Sequence, residues 1–444
     1  MIATDVSVDQ ETAIEAMTMR RVAWRIVPFL MLCYFISFVD RVNAGFAALE
    51  MNRDLHLSPS VFGLGGGLFF IGYFILEVPS NLAMERFGAR LWIARIMVSW
   101  GIVAAAMALI AGPYTFYLLR LLLGAAEAGF FPGVMLYITY WFPPAYRARI
   151  IGWFMVAVPV SAFLGSPLSA ALLDADGLLG LRGWQWMFIL EGAPAVLLGL
   201  LSLYLLDDRP GHAAWLAPAQ RTWLTSRLEA EHDAATLVPP QTLWRVLANG
   251  RVLAMALVLA GSTANSSGIQ LWSPQMFKAF GLTNMQTGLA NAVPYAFASV
   301  IMIGWARRSD RLKERVWHSV LPLALVALGL AGCLWFRSLP GTMVVLTLAV
   351  TGIYACKGPV WAVATEWLAA GAAAAGLAQI NALSNLAGFG TIYVVGIIVG
   401  ATGSFSLAMV PLLVLAAAST VTMAALGRTR YAAPFSKSAS VPKI

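Results

Sequence analysis

The chain has 444 residues, of which 60% are hydrophobic and 11% are charged, and its formal net charge is +8. Soluble domains carry roughly 25% charged residues, so this composition excludes an ordinary soluble protein and indicates one embedded in a membrane. The three cysteines are scattered among apolar segments, which argues against both a disulfide framework and a metal site.

Twelve apolar stretches are long enough to cross a bilayer, since a helix needs about 20 residues to do so. They lie at 22–48, 61–84, 91–111, 114–141, 149–173, 184–206, 251–278, 285–306, 317–336, 341–366, 373–400 and 404–426. The residues before the first stretch are polar and acidic, so we expect a retained first helix and not a cleaved signal peptide.

The longest polar stretch, 207–250, separates the sixth apolar stretch from the seventh. We therefore predict an all-α membrane protein with twelve transmembrane helices in two pseudo-symmetric bundles of six. The N-terminal bundle covers 22–206 and the C-terminal bundle covers 251–427. Residues 207–250 form a cytoplasmic linker, and 1–21 and 428–444 form cytoplasmic tails.

The basic residues predict the orientation. Twenty-two Lys and Arg side chains fall in segments on the side of the N-terminus, four fall on the opposite side, and three lie inside the apolar stretches. Such a bias places both termini in the cytoplasm, and we expect the inner membrane of a bacterium. It also explains the basic net charge without any nucleic-acid partner.

An internal repeat supports two related halves. The pair Glu85-Arg86 follows the second predicted helix, and the pair Asp310-Arg311 follows the eighth. Transporters are commonly built from such repeats. We interpret these pairs, with Arg90 in the first loop, as gating or structural residues that cap the bundles, and not as substrate ligands.

Three cations, Arg41, Arg120 and Lys357, lie inside the apolar stretches, and the acids Asp40 and Glu127 lie in the same stretches. A charge at bilayer depth costs at least ~2.5–3.5 kcal/mol, so such residues usually mark a substrate or proton pathway. Arginine suits the recognition of carboxylates, because its planar fork of donors matches both oxygens.

The chain resembles the major facilitator superfamily in the loop after the second helix, where Leu82, Ala83, Arg86, Gly88 and Arg90 match and Asn81, Glu85 and Ala89 depart. Over 22–430 it is similar to the anion:cation symporter family. The matching segments are Phe38-Val-Asp40-Arg41-Val-Asn43, Glu77-Val-Pro-Ser-Asn81, the run from Arg120 through Glu127 to Gly133, Trp184-Gln-Trp186, Trp272-Ser-Pro274-Gln275 and Gly358-Pro359-Val-Trp361.

That resemblance implies proton-coupled transport of organic anions, such as tartrate-like acids, sugar acids or aromatic acids, by alternating access of a central cavity. It implies that Arg41 and Arg120 bind the substrate carboxylate or stabilise the acids. Asp40 and Glu127 are the candidate proton carriers, because burial favours the protonated form of a carboxyl and a neighbouring arginine favours the charged form. The residues themselves leave a second interpretation open, in which Arg41 pairs with Asp40, or Arg120 with Glu127, as a permanent structural ion pair.

Lys357 departs from the family pattern, which has no lysine before Gly358-Pro359. It could bind a second anionic group of a dicarboxylate, pair with Glu127 as an inner gate, or extend its long stem toward water. These three hypotheses stay open at this stage.

Five further side chains are predicted to line the cavity and contact substrate. Asn381 and Asn385 share a face because they are four residues apart, although bonding between helices would also explain them. Glu77 is interpreted as a gate and Glu191 as structural. The five predicted contacts are Tyr73, Gln270, Trp361, Asn381 and Asn385.

We conclude from the sequence that the chain imports a small organic carboxylate in symport with protons, as a monomer in lipid and without a cofactor. An organic-anion exchanger or an efflux transporter is the alternative. An enzyme is disfavoured, because no Walker loop, dinucleotide fingerprint or nucleophile–base pair is present. A sensor is disfavoured, because no sizeable soluble domain is present.

Overall fold

The structure is a computed structural model that describes residues 2–236, 249–367 and 373–432. Within these ranges the regular structure is helical. The α-helices are α1 (Ile2–Asp54), α2 (Pro59–Phe87), α3 (Ala89–Ala106), α4 (Pro113–Glu127), α5 (Phe130–Trp141), α6 (Pro144–Leu173), α7 (Gly183–Leu205), α8 (Pro218–Thr236), α9 (Gly250–Lys278), α10 (Asn284–Leu312), α11 (Val316–Trp335), α12 (Leu339–Trp367), α13 (Ala373–Thr402), α14 (Phe405–Ala408) and α15 (Val410–Ala432).

Twelve spans in the described part of the chain are long and apolar enough to cross a membrane, which confirms the predicted fold class. The fourth span consists of α4 and α5, and the twelfth consists of α14 and α15. Helix α8 lies in the linker, so α1 to α7 form the first six spans and α9 to α15 the last six. Residues 237–248 of the linker lie outside the described residues.

Local sequence explains where several helices begin and end. Helix α2 begins at Pro59, and the Ser58 hydroxyl accepts a hydrogen bond from the Val61 amide at 3.3 Å, as expected for an N-cap followed by proline. Helix α1 is longer than its predicted span, since it runs from Ile2 without a break. Residues 2–21 contain no proline or glycine that would end it.

The fourth span is broken near its middle. Helix α4 ends at Glu127, and Gly129 adopts a left-handed conformation with φ of 86° before α5 begins. Only glycine adopts this conformation without strain. The break places Glu127 at the end of α4, deep within the N-terminal bundle and 2% exposed.

The two bundles are in close contact at the end that is predicted to face outward. Helix α2 meets α13 at Gly63 and Gly396, where a side chain on either glycine would collide with the backbone of the other helix. Hydrogen bonds also join the bundles there, from Asn291 to Ser166 at 2.9 Å and from Asn284 to Glu50 at 2.9 Å. The central cavity is therefore closed at this end.

Candidate functional site

A cavity of about 90 Å³ lies between the two bundles. Aromatic rings form most of its N-terminal side, whereas polar side chains and a lysine contribute much of its C-terminal side. The lining residues are Tyr34, Phe38, Arg41, Phe69, Phe70, Tyr73, Phe131, Met155, Leu259, Thr263, Lys357, Trp361, Asn381 and Asn385. Six of the predicted substrate-binding residues are among them.

Arg41 and Glu127 form an ion pair beside this cavity. The Arg41 Nη2 and Nε atoms lie 2.6 and 3.0 Å from the same carboxylate oxygen, Oε1 of Glu127. The Arg41 side chain is 24% exposed, while that of Glu127 is 2% exposed. The guanidinium thus reaches the cavity, and the carboxylate holds it from behind.

Aromatic rings surround the Arg41 guanidinium. Its Cζ atom lies 4.8 Å from the ring centre of Phe38, 5.2 Å from that of Phe69 and 5.7 Å from that of Tyr73. Such contacts attract a cation through the negative faces of the rings. They help to hold the guanidinium in place beside Glu127.

Arg120 lies behind the cavity wall and does not line it. Its Nη2 atom donates to the Gly66 carbonyl at 3.2 Å, and its Cζ atom lies 5.2 Å from the Phe69 ring centre. Arg41 and Arg120 are thus both packed on Phe69, and they do not form a two-arginine clamp on the cavity surface. Neither of the two structural pairs considered from the sequence is present, because Arg41 is bonded to Glu127.

Asp40 faces away from the cavity. Its carboxylate accepts hydrogen bonds from Trp100 Nε1 at 2.6 Å and from Asn43 Nδ2 at 3.4 Å, and Asp40 is 3% exposed. Neighbouring residues on a helix point in different directions, so Asp40 and Arg41 serve different sides of α1. The sequence placed both in one site, whereas the structure separates them.

Lys357 lines the cavity from the C-terminal bundle. Its Nζ atom lies 4.7 Å from the ring centre of Tyr354, the residue three positions earlier. Among the described residues it forms no ion pair with Glu127, whose carboxylate binds Arg41 instead. The inner-gate hypothesis is therefore not met in this conformation.

Gln270 supports Tyr354 and does not line the cavity. Its Nε2 atom donates to the Tyr354 hydroxyl at 2.8 Å, and the Ser266 hydroxyl lies 3.3 Å from the same oxygen. Gln270 is 6% exposed. Its position predicts an indirect role, in which it orients the tyrosine beneath Lys357.

Asn381 joins the two bundles on the side of the cavity predicted to face the cytoplasm. Its Nδ2 atom donates to Oε1 of Glu77 at 2.7 Å, and Glu77 is 7% exposed. The predicted gate and one predicted substrate contact therefore form a single link. Tyr73 lies one turn before Glu77 on α2, and Asn385 lies one turn after Asn381 on α13, and both reach the cavity.

The two charged loops have partners other than those expected. The backbone amide of Arg90 donates to Asp208 Oδ1 at 2.9 Å, and Arg86 packs on the Phe87 ring at 5.5 Å, while Glu85 is exposed. In the second loop, Asp310 pairs with Arg315 at 2.5 Å, whereas Arg311 is exposed. The loops are held, but not by the adjacent acid–base pairs.

Sequence reasoning missed several residues that shape the site: Phe69, Trp100, Asp208, Tyr354 and the break at Gly129. Asn43 had a detectable signal, since it follows Asp40 by three residues and shares its helix face. Phe69 had none, because an aromatic ring in an apolar span is ordinary packing by default.

A family model described as Major Facilitator Superfamily matches residues 30–391. The chain is 49% identical over 393 residues to a protein of Agrobacterium vitis named "Putative tartrate transporter", with 88% of this chain and 87% of that protein covered. It is 38% identical to the "Quinolone resistance transporter" of Acinetobacter baumannii, with 87% and 89% covered. In fold it is similar to the xylose transporter XylE of E. coli, with a TM-score of 0.73, 15% identity, and 95% and 100% of the two chains covered.

Proposed function

Since the chain belongs to the Major Facilitator Superfamily, and is therefore a multi-pass membrane transporter and not an enzyme, we propose that it carries a small organic dicarboxylate in symport with protons. The observation that carries this proposal is the pair of cations that reach one cavity from opposite bundles, Arg41 and Lys357.

Two cations on opposite walls suit an anion with a charge at each end. Arg41 offers a planar fork to one carboxylate, and Lys357 offers a compact ammonium to the other. Asn381 and Asn385 add amide groups that suit hydroxyl groups on the substrate. The relative named for tartrate, which is a dihydroxy dicarboxylate, supports this chemistry.

Alternating access follows from the same contacts. A substrate held by Arg41 on one bundle and by Lys357 on the other draws the bundles together around it. The substrate's two carboxylates also neutralise Arg41 and Lys357, which lowers the cost of closing the cavity over these charges. Substrate binding near the junction of two repeats is the general arrangement in such transporters.

Proton coupling is proposed to arise at Glu127. The two nitrogen atoms of Arg41 that bond Glu127, Nη2 and Nε, both donate to the same oxygen, Oε1. A substrate carboxylate competes with Glu127 for that guanidinium. When the substrate binds, Glu127 is left buried without its cationic partner. An unpaired buried charge is costly and is relieved by protonation. Substrate and proton therefore bind together on one side of the membrane and leave together on the other.

The proposed setting is the inner membrane, with both termini in the cytoplasm and a monomer as the working unit. Import is proposed as the direction of transport. The relative named for quinolone resistance supports export as a second candidate, since the direction of a secondary transporter depends on the gradients and on how strongly each side binds.

Purified protein in liposomes tests this function. We expect labelled tartrate or a similar dicarboxylate to accumulate when the exterior is made acidic, and to accumulate much less without a pH gradient. If uptake is independent of the pH gradient while counterflow persists, the protein is an exchanger and not a proton symporter. Accumulation only when the lumen is made acidic would favour substrate–proton antiport, the expected mode of an exporter.

Replacing Lys357 with glutamine is expected to remove the preference for dicarboxylates. In the wild type, a dicarboxylate should compete for uptake about tenfold to a hundredfold better than the monocarboxylate of equal length, which is the effect of one charge-assisted contact. In Lys357→Gln the two should compete equally. Competition against a labelled substrate in liposomes measures this ratio.

The matched control is Lys278→Gln. Lys278 ends α9 and donates to Asn284 at 2.8 Å, far along the helix from the cavity lining, so its loss should leave the ratio unchanged. Equal competition by mono- and dicarboxylates in the wild type itself would rule out a second carboxylate at Lys357.

A further inference from the structure

We propose that Glu191 acts with Asp40 as a second proton-binding site, in which two carboxyl groups beside Asn43 hold one proton between them and set the pH range of transport. The inference rests on the proposed proton coupling and adds a residue to it. Glu191 lies on α7, the sixth span, and does not line the cavity.

The three side chains form one buried group. Asp40 and Glu191 are each 3% exposed, and Asn43 is 2% exposed. Asn43 Nδ2 donates to Asp40 Oδ1 at 3.4 Å, and the Asn43 side chain also acts on Glu191. The carbonyl of Gly192, which follows Glu191, packs against Gly101, which follows the Trp100 that bonds Asp40. The amide therefore lies beside a carboxyl of the first span and a carboxyl of the sixth.

The other partners of this pair are neutral. Trp100 Nε1 on α3 donates to Asp40 at 2.6 Å, and the Ser169 hydroxyl on α6 donates to Glu191 Oε1 at 2.7 Å. Glu127 is a further ionisable group that acts on Asp40, and its own charge is balanced by Arg41. Among the described residues, no cationic side chain contacts either member of the pair.

Two ionised carboxylates cannot share this environment. Each would lie in an apolar bundle beside a like charge, without a cation to offset it, and such burial is costly by several kcal/mol per charge. Carboxyl pairs in this situation retain one proton, as the paired aspartates of aspartic proteases do.

The two carboxyl groups differ in how fully their oxygens are bonded. Both oxygens of Asp40 accept a hydrogen bond, one from Trp100 and one from Asn43. Glu191 has one oxygen, Oε2, with no partner among the described residues. An unpaired oxygen is less costly to bury in a neutral, protonated carboxyl than in a charged carboxylate.

Replacing Glu191 with glutamine tests the pair. Gln keeps the size and the bond from Ser169, but it removes the second carboxyl, and with it the like charge that makes the pair retain a proton. Loss of this charge makes proton uptake by Asp40 require a more acidic medium. The pH at which substrate uptake falls to half should therefore move to lower pH by about one unit or more, the size of coupling that defines interacting sites. Glu191→Asp, which restores a carboxyl, should move it back toward the wild type.

Infrared difference spectroscopy reports the proton without any transport. At neutral pH the wild type should show a carboxylic acid C=O stretching band that Glu191→Gln lacks, since the acid group is gone. If Glu191→Gln fails to fold, Asp40→Asn offers a second test, in which the band should change in frequency because the remaining carboxyl has lost its partner. Glu229→Gln makes the same chemical change at an exposed position on α8, and it should alter neither the band nor the pH profile.

An unmoved pH profile in Glu191→Gln, with a pH-dependent wild type, would overturn the proposal, and so would an unchanged infrared band. If wild-type uptake proves independent of pH, the proposed symport fails. The infrared band then decides by itself whether the pair holds a proton.

Discussion

Replacing Arg41 with alanine is expected to reduce uptake by about a hundredfold or more, because removing one partner of a buried ion pair costs roughly 3–5 kcal/mol and the variant also loses a substrate ligand. The guanidinium reaches the cavity and holds Glu127 at 2.6 Å. Both the pH-driven uptake and the counterflow exchange should fall, since each requires bound substrate. Liposome uptake and direct binding by calorimetry measure the two effects.

Arg41→Lys separates charge from geometry. The lysine keeps a cation beside Glu127 but cannot present a planar fork to a carboxylate, so we expect a smaller loss than in Arg41→Ala. Arg53→Ala is the matched control: Arg53 lies at the outer end of the same helix, and its side chain is 81% exposed. Normal substrate binding by a folded Arg41→Ala variant would refute a ligand role for Arg41.

Replacing Glu127 with glutamine is expected to abolish pH-driven uptake and to preserve counterflow. Gln resembles the protonated carboxyl in size and hydrogen bonding, so the variant behaves as though its proton were always bound. Substrate can then still exchange across the membrane, but a pH gradient no longer drives its accumulation. We expect accumulation to fall by roughly tenfold or more, to the level seen without a gradient, for a proton-transfer group of this kind.

The measurement compares accumulation under an imposed gradient with counterflow in the same liposomes. Glu229→Gln on α8 serves again as the control for a lost carboxyl at an exposed position. If Glu127→Gln loses counterflow together with driven uptake, Glu127 is needed for binding or folding, and the coupling role is refuted. If it retains driven uptake, the proton is carried elsewhere, and Asp40, Glu77 and Glu191 are the other buried carboxyls in the described part of the bundle.

Together with the Glu191 variant, these two experiments separate three roles within one cluster of charges. Arg41 is expected to be needed in every assay, Glu127 only in assays driven by protons, and Glu191 only for the position of the pH profile. A structural role alone would instead lower all three activities in parallel with folded yield. Size-exclusion profiles of each variant distinguish that outcome.

The twelve spans could be predicted from the sequence because the length of an apolar stretch is a local property. Each span needs about 20 apolar residues, whatever its neighbours are. The break in the fourth span was harder to see, since Gly129 and Pro132 are both tolerated within membrane helices. Only the backbone of Gly129 shows that the span ends one helix and begins another.

In the candidate site, too, some features follow from the sequence and others only from the structure. That Arg41, Glu127 and Lys357 are costly in a bilayer follows from residue type and position alone. Which of them meet does not follow, because the partner of a side chain depends on how each helix is rotated about its axis and on where its neighbours lie. The sequence therefore left two possible pairs open, and the pair that forms, Arg41 with Glu127, was neither of them.

By itself, then, the sequence determined the class of the protein, the number of its spans and the identity of its buried charges, since these depend on composition and on distances along one helix. The tertiary structure decided the grouping of those charges. It turned Asp40 away from Arg41 toward Trp100 and Asn43, and it brought Lys357 to the cavity wall opposite Arg41. The physical reason is that a buried charge is stabilised by contacts between helices, and these exist only after the bundles have packed.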